Sequence, residues 1–328
     1  MEFFSLAEAY ESGLRAVLSG DRVNSVMDPM SKASNFGKGN RSSRELLSYL
    51  FAVNSPVNCL VSGPVVKLHL PYCFGLLAFT LSGSNRLDVL HYYRPGAADY
   101  SDDGWTLSGA FGSRIRGIDG QVDQLAAVLR RLSADPTSRR TYSAIIRAED
   151  NLIPSREYPC AAGIQLFLRD DRLMMLAVMR AQQAFTVLPY DAFLFMAMQL
   201  ILAAHLGVYA GTYMHFSGTF HVYDAEESAV VETLSSGVKS AKLPSPPSGA
   251  SASARFVKEF IALEGRLRKC AEAGDRQGVM RYLNTEGEGK LFNVAKAVLG
   301  SFALTKIGLL DDALEVTRQL PSDIRSLS

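Results

Sequence analysis

Two residues in the middle of the chain could together supply a reactive thiol. Cys160 precedes an apolar run, residues 163–168, that turns at Asp170-Asp171 and returns to Arg180. The pattern predicts a β-hairpin in which Arg180 ends beside Cys160. A neighbouring guanidinium lowers the pKa of a thiol and makes it a usable nucleophile. The alternative is a Cys160 that packs as a small buried hydrophobe.

Other polar residues could serve either structure or binding. His221 and Tyr223 stand two apart in an aromatic-rich strand pattern, so their side chains share one face of a strand. Arg139 and Arg140 would by themselves fit a solvated surface. Asp191 lies where an apolar helix is predicted to start, and aspartate there commonly caps the helix.

Composition excludes several classes of function. The 328 residues are 48% hydrophobic and carry a net charge of +1, with no basic run, which argues against a general nucleic-acid or membrane-surface binder. The four cysteines are scattered, so neither a disulfide framework nor a metal site is expected. The residues around Glu2 lack a signal pattern, and a reduced, cytoplasmic protein is expected.

The elements that must position these residues are of both kinds. Helical periodicity is predicted for the first twenty residues, for 123–132 and for a buried helix from about residue 189, whose apolar run at 192–206 is too short to span a bilayer. Strand patterns are predicted for 46–53, 65–70, 163–180 and 212–223, and a mobile loop for 28–40. Without regular βαβ alternation, an α+β fold is favoured.

The Pro- and Ser-rich stretch at residues 242–249 divides the chain. Beyond it, helical periodicity continues through 254–273 and 291–320 with little strand signal. We therefore expect a main domain over residues 1–248 and a helical extension over 249–328.

Five motifs, in order, resemble the thymidylate synthase superfamily. They are Asp135-Pro136-Thr137-Ser138-Arg139-Arg140, Pro159-Cys160, Arg180, Leu188-Pro189-Tyr190-Asp191 and His221-Val222-Tyr223. The resemblance covers roughly residues 38–245 and is strongest from 120 to 226. It implies that residues 1–248 form a nucleotide-binding catalytic domain with a mixed sheet and flanking helices, and that two copies form a two-fold homodimer.

The resemblance also implies roles for these side chains. Cys160 would be the nucleophile that adds to C6 of a pyrimidine and makes C5 able to attack a one-carbon electrophile from methylenetetrahydrofolate. Arg180 and Arg41, or Arg44 if the alignment slips, would bind the phosphate. Arg139 and Arg140 would reach the phosphate of the partner subunit's site, and His221 and Tyr223 would hold the sugar.

Asp191 stands where members acting on uracil carry Asn. A carboxylate only accepts hydrogen bonds, which suits the amino group and protonated N3 of cytosine and disfavours uracil. Cytidylate 5-hydroxymethylases of the superfamily carry Asp here. The resemblance thus implies hydroxymethyl transfer to CMP or dCMP, and Ala181 favours CMP, as in enzymes of nucleoside-antibiotic biosynthesis.

Several positions depart from the family pattern. Leu76 replaces the general acid/base glutamate, for which Glu45 could substitute only under a different upstream alignment. Phe111 replaces a tyrosine, Ala161 a histidine, and Gln183 the aspartate that contacts the pterin of the folate. Two alternatives therefore stay open: folate-independent chemistry at C5 and C6, or a non-catalytic nucleotide-binding paralogue.

Overall fold

The computed structural model describes residues 1–25, 41–117 and 122–327, except for the side chains of residues 25 and 41. Its strands are β1 (Glu2–Phe3), β2 (Asp21–Ser25), β3 (Arg41–Val53), β4 (Leu60–Ser62), β5 (Tyr142–Ala144), β6 (Ala161–Arg169), β7 (Arg172–Gln183), β8 (Tyr209–Tyr223) and β9 (Lys239–Ala241). Its helices are α1 (Leu6–Leu18), α2 (Leu70–Ser82), α3 (Leu87–Tyr93), α4 (Phe111–Arg116), α5 (Gln124–Ala134), α6 (Leu188–Leu206), α7 (Glu227–Ser236), α8 (Ala250–Glu272), α9 (Arg276–Leu283), α10 (Lys290–Lys306), α11 (Leu310–Thr317) and α12 (Ser322–Arg325).

A mixed sheet forms the central layer. Among the described residues its strands follow the order β1-β3-β8-β7-β6-β5, and β2 also pairs with β3. Strands β7 and β8 run parallel, whereas β8 is antiparallel to β3 and β7 to β6. Helices α1 and α6 pack on the sheet and bury large side chains such as Tyr10, Phe193 and Phe195. The predicted α+β class is confirmed.

The predicted hairpin is present as β6 and β7. Its turn residues Asp170 and Asp171 both have positive φ, 51° and 54°. This conformation suits a two-residue turn because its twist matches that of the flanking strands. At the open end of the hairpin, Arg180 N donates to Cys160 O over 2.8 Å.

The strand predicted for residues 65–70 is wrong. That segment makes only an isolated bridge between Lys67 and Ser62, and Leu70 already begins α2. Pro71 explains the change, because its fixed φ suits the first turn of a helix. The loop predicted for 28–40 lies outside the described residues.

Helix α6 is the buried helix that the apolar run predicted. At 19 residues it is longer than that run suggested and, by length and composition alone, could cross a membrane. Most of its apolar window, 83%, is buried inside the protein, which is the behaviour of a core helix. It begins at Leu188 and so places Asp191 in its first turn.

The C-terminal helices pack against the rest of the protein. Phe260 of α8 contacts Phe74 of α2, with ring centroids 6.5 Å apart. Glu264 of α8 is only 4% exposed, accepts a hydrogen bond from Tyr93 Oη at 3.0 Å, and pairs with Arg268 Nε at 2.8 Å. Helix α8 begins at Ala250, directly after the Pro- and Ser-rich stretch of residues 242–249 that was predicted to divide the chain. The division into two domains at residue 248 stays a prediction.

Candidate active site

Cys160 lies just before β6 and is held by Arg180 from β7. Arg180 Nε donates to Pro159 O over 2.9 Å, Nη2 donates to Tyr158 O over 3.0 Å, and Nη2 lies 4.0 Å from Cys160 Sγ. The guanidinium also stacks on the Tyr158 ring, 4.8 Å from its centroid. The structure therefore brings thiol and guanidinium together as the hairpin pattern predicted.

The direction of the Cys160 pKa differs from the sequence prediction. Burial raises this pKa above its ordinary value; Arg180 lowers it, while Asp191 and Glu157 raise it. The thiol is accessible to solvent, yet protein atoms crowd around it, so desolvation outweighs the single favourable guanidinium. The predicted lowering is wrong, and formation of a thiolate here calls for a base.

Asp191 does not cap helix α6. The N-cap residue is Val187, which makes no side-chain hydrogen bond, and Asp191 instead accepts a hydrogen bond from Gln182 Nε2 over 3.0 Å. The capping alternative is therefore wrong. Burial raises the pKa of the Asp191 carboxyl to about 6, against the opposing effects of Gln182 and Arg94. Its charge reaches Cys160, so the two side chains belong to one site.

A buried chain of hydrogen bonds orients Gln182 toward Asp191. His215 Nε2 lies 3.1 Å from Gln182 Oε1, and Tyr213 Oη lies 2.8 Å from His215 Nδ1. Burial lowers the pKa of His215 to about 3, so the ring is neutral. Because an amide oxygen only accepts, Nε2 must carry the proton and Nδ1 must accept from Tyr213. Every donor in the chain then points toward the Asp191 carboxylate.

His221 and Tyr223 share one face at the end of β8, with ring centroids 5.2 Å apart. Burial alternates through Tyr213, His215 and Ser217 and then changes phase, so that Phe220 and Val222 are buried. The change coincides with Ser48 of β3, whose φ is +56°, opposite this part of β8. The register is unbroken there, with Leu47 opposite Thr219 and Tyr49 opposite Ser217, so the change of face accompanies the unusual backbone conformation at Ser48 and not an inserted residue.

The remaining predicted phosphate ligands lie apart from Cys160. Arg139 and Arg140 are exposed and precede β5, whose Tyr142 pairs with Gln165 of β6. Gln165 lies roughly 16 Å along β6 from Cys160, at about 3.3 Å per residue. Arg41 begins β3, but its side chain is outside the described part of the structure, and Arg44 is paired with Glu227 at 2.7 Å.

The side chain of Gln183, which was predicted to contact the pterin of the folate, is already hydrogen-bonded within the protein. Gln183 is 9% exposed. Its Oε1 accepts from Thr186 N and Val187 N, and its Nε2 donates to Glu226 over 2.6 Å. Phe111 stacks on Phe195, and Leu76 packs among apolar side chains. The amide is committed to the protein and does not fit a pterin contact in this conformation, so its cofactor role stays a prediction.

Sequence reasoning missed several residues of the site. Glu157, three residues before Cys160, is close enough for its charge to raise the Cys160 pKa, and Arg94 acts on Asp191 in the same way. Gln182 and His215 were detectable in principle, since each is a polar residue at a buried position of an otherwise apolar strand. Glu157 gave no such signal, because it lies in a loop.

The fold and these side chains define an α+β protein with a thiol-and-arginine site beside a buried carboxylate. The chain belongs to the thymidylate synthase family: the model for "Thymidylate synthase" matches residues 65–247, more than half of the 328 residues. Members of this family transfer a one-carbon unit to C5 of a pyrimidine nucleotide, with methylenetetrahydrofolate as cosubstrate. They are typically dimers.

Individual relatives are distant. A thymidylate synthase of Francisella philomiragia is 23% identical over 183 residues, which cover 52% of this chain and 67% of the relative. One from Francisella tularensis subsp. holarctica is 24% identical over the same shares. The first strands and the C-terminal helices of this chain lie outside the family match.

Proposed function

We propose that this chain is a cytidylate 5-hydroxymethylase that acts on CMP or dCMP. The observation that carries the proposal is Asp191, a carboxylate that Gln182 holds 3.0 Å away and whose charge reaches Cys160. Carboxylate oxygens accept from the amino group and protonated N3 of cytosine, whereas uracil offers a carbonyl at C4 that a carboxylate repels.

Cys160 would add to C6 and leave C5 nucleophilic. Methylenetetrahydrofolate, the cosubstrate of the family, would supply the one-carbon unit as an electrophile, and hydration would yield the hydroxymethyl group. In Arg180, Nε and Nη2 bind backbone carbonyls, while Nη1 has no hydrogen-bond partner among the described residues and is available for a phosphate. His221 and Tyr223 would hold the sugar, and Ala181, which lacks a hydroxyl, favours CMP.

A second copy of the chain completes this proposal. Leu50, Phe216 and Val178 stand side by side across β3, β8 and β7, and Leu50 is 48% exposed. Such an apolar row on an open sheet face suits a symmetric dimer. Because Arg139 and Arg140 lie beside Gln165 in the middle of β6, apart from Cys160, they would serve the partner's phosphate rather than their own.

The first test is release of tritium from C5-labelled CMP and dCMP, with and without methylenetetrahydrofolate, with Cys160→Ser as the control. Folate-dependent release from either nucleotide supports the proposal, and the better substrate identifies the sugar. Failure of both nucleotides in every condition contradicts it. A cytoplasmic location and a place in nucleoside-antibiotic biosynthesis remain part of the proposal.

Folate-independent chemistry at C5 and C6 is the second candidate. The committed amide of Gln183 favours it, together with apolar Leu76 and Phe111 in place of polar groups. Thiol addition to C6 also permits exchange, dehalogenation or decarboxylation at C5. Tritium release that is equal with and without folate would support this candidate over one-carbon transfer.

The third candidate is a non-catalytic paralogue, and the rate at which Cys160 is alkylated distinguishes it from the two enzyme candidates. Cys59 is fully buried and its pKa is raised to about 12, while Cys160 is accessible. An active Cys160 is therefore expected to react with iodoacetamide at least about tenfold faster than Cys59. Equal rates at Cys160 and the half-exposed Cys270 would favour a binding protein.

A further inference from the structure

C5 of the nucleotide carries a hydrogen that must leave after a new carbon is attached there. The pyrimidine C5–H is not acidic in water, so a positioned base is needed once Cys160 has added to C6. Leu76 cannot accept a proton. Among the described residues, the charged groups whose fields reach Cys160 are Arg180, Asp191 and Glu157. Asp191 accepts a hydrogen bond from Gln182 and is assigned above to recognition of the base. Of the two carboxylates near Cys160, Glu157 is therefore the one without an assigned role.

On the side toward Cys160, the backbone next to Glu157 is held by hydrogen bonds from Arg180. Arg180 binds the carbonyls of Tyr158 and Pro159, the two residues that separate Glu157 from the nucleophile. On the other side, Ser155 Oγ accepts a hydrogen bond from Glu157 N over 3.1 Å. The backbone on both sides of Glu157 is therefore held, as a catalytic side chain requires.

The carboxylate itself is held by a second loop. Gly109 N donates to Glu157 Oε2 over 2.7 Å, and a Cβ on Gly109 would come within 2.7 Å of the Glu157 side chain. A side chain at Gly109 would therefore force the Glu157 side chain to shift. Arg114, 5% exposed, donates from Nε and Nη2 to Ser108 O and so fixes the peptide that presents Gly109 N.

One oxygen of Glu157 remains open for chemistry. Oε2 is occupied by Gly109, but Oε1 has no hydrogen-bond partner among the described residues and is not enclosed. The carboxylate is thus anchored through one oxygen and accessible through the other. This is the arrangement expected of a proton acceptor rather than of a purely structural carboxylate.

We propose that Glu157 is the general base that removes the C5 proton from the Cys160-bound nucleotide, an inference that rests on the proposed function. In the adduct, sulfur is bonded to C6 and C5 carries both its hydrogen and the new carbon. The carboxylate takes the proton and becomes a carboxylic acid, while the C–H bonding pair moves into the ring. That pair then expels the tetrahydrofolate nitrogen from the attached carbon and leaves a double bond between C5 and that carbon. Water adds to this carbon and gives up a proton to solvent, and the displaced electron pair forms the C5–C6 double bond as the Cys160 S–C6 bond breaks and releases the thiolate.

The proton affinity of Glu157 suits this task. Burial, with a smaller contribution from the Asp102 charge, raises its pKa to about 7 against the lowering effects of Gly109 N and Arg114. A base with a pKa near the working pH is both deprotonated often enough and basic enough to act. Glu45 is the rival carboxylate, since it pairs with His221 across β3 and β8, but its charge is not among those that act on Cys160.

The test compares Glu157→Gln, Glu157→Asp and Glu45→Gln with the wild type. Glutamine keeps an oxygen that can accept from Gly109 N, so the fold is expected to persist. Tritium release from C5-labelled CMP is expected to fall on the order of a hundredfold to ten-thousandfold in Glu157→Gln, with CMP affinity retained. Glu157→Asp should recover part of the release, and Glu45→Gln should keep it. Release within about threefold of wild type in Glu157→Gln, or its loss in Glu45→Gln instead, would overturn the assignment.

Alkylation of Cys160 tests the position of Glu157 without any substrate. Because the Glu157 charge raises the Cys160 pKa, Glu157→Gln should lower that pKa and make iodoacetamide react several-fold faster near neutral pH. An unchanged rate would refute the juxtaposition. If the wild type itself releases no tritium, the proposed function fails and the catalytic role with it, whereas faster alkylation would still show the carboxylate beside the thiol.

Discussion

Gln182 Nε2 donates a hydrogen bond to Asp191 Oδ2 over 3.0 Å, from the end of β7 to the first turn of α6. His215 and Tyr213 lie behind Gln182 and fix which end of its amide faces the carboxylate. A hydrogen bond to the charged form stabilises that form. The pair therefore keeps Asp191 available as an acceptor although burial opposes its ionisation.

Replacing Asp191 with Asn should move base preference from cytosine toward uracil. The amide can donate to O4 of uracil and accept from N3–H, which the carboxylate cannot do. We expect kcat/KM for CMP to fall and that for UMP to rise, with a combined change in their ratio on the order of a hundredfold, or about 3 kcal/mol. Competition between the two nucleotides in one reaction measures the ratio. Unchanged selectivity would remove the basis for the cytidylate assignment.

The affinity for CMP should depend on pH through Asp191. Its pKa is about 6, so the carboxylate is present above that value and is lost as the pH falls through it. Gln182→Leu removes a hydrogen bond that lowers this pKa. The loss of CMP affinity should therefore begin at higher pH in that variant than in the wild type.

Calorimetric titration with CMP between pH 5 and pH 8 measures this dependence. Asp191→Asn is the matched control and should keep only the dependence that the CMP phosphate, with a second pKa of about 6, gives to every variant, because its own amide does not titrate in this range. Profiles of wild type and Gln182→Leu that superimpose would show that the hydrogen bond does not govern the charge of Asp191.

Mixed dimers should show whether Arg139 and Arg140 act across subunits. A chain with Cys160→Ser and a chain with both Arg139→Ala and Arg140→Ala should each be inactive as a homodimer. Mixed in equal amounts, half of the dimers combine both chains, and one of their two sites has every group intact. Activity should then reach about one quarter of the wild-type value. No recovery after verified subunit exchange would place the arginine pair outside the partner's site.

The Glu264 carboxylate should matter for stability although it is far from the chemistry. Glu264→Ala would leave Arg268, 8% exposed, without its partner at 2.8 Å and would leave Tyr93 Oη without an acceptor. Breaking a buried pair in this way typically costs about 3–5 kcal/mol. Denaturant unfolding measures the loss of free energy.

The exposed pair between Arg255 and Glu288 serves as the control for that experiment, since both side chains are more than half exposed. Glu288→Ala should cost about 0–1 kcal/mol. If the two variants lost equal stability, the α8 contact would contribute no more than a surface ion pair.

The sequence by itself determined the elements with strong local periodicity and the presence of the family's motifs. The hairpin of β6 and β7, helices α1 and α6, and the helical segment after residue 250 follow from patterns with periods of 2 and 3.6 residues. These patterns are local, because each reflects which side of one element is buried. A local pattern fails where a single residue sets a boundary. Residues 65–70 were predicted as a strand, but Pro71 favours the first turn of α2, which begins at Leu70.

Only the tertiary structure decided the electrostatics of the site. The Cys160 pKa depends on all the atoms that exclude water from it, and this sum cannot be read from Arg180 alone. Likewise, Gln182 meets His215 and Glu157 meets Gly109 across different parts of the chain. Sequence spacing carries no information about such contacts, because folding sets the distances between elements while the sequence sets only those within them.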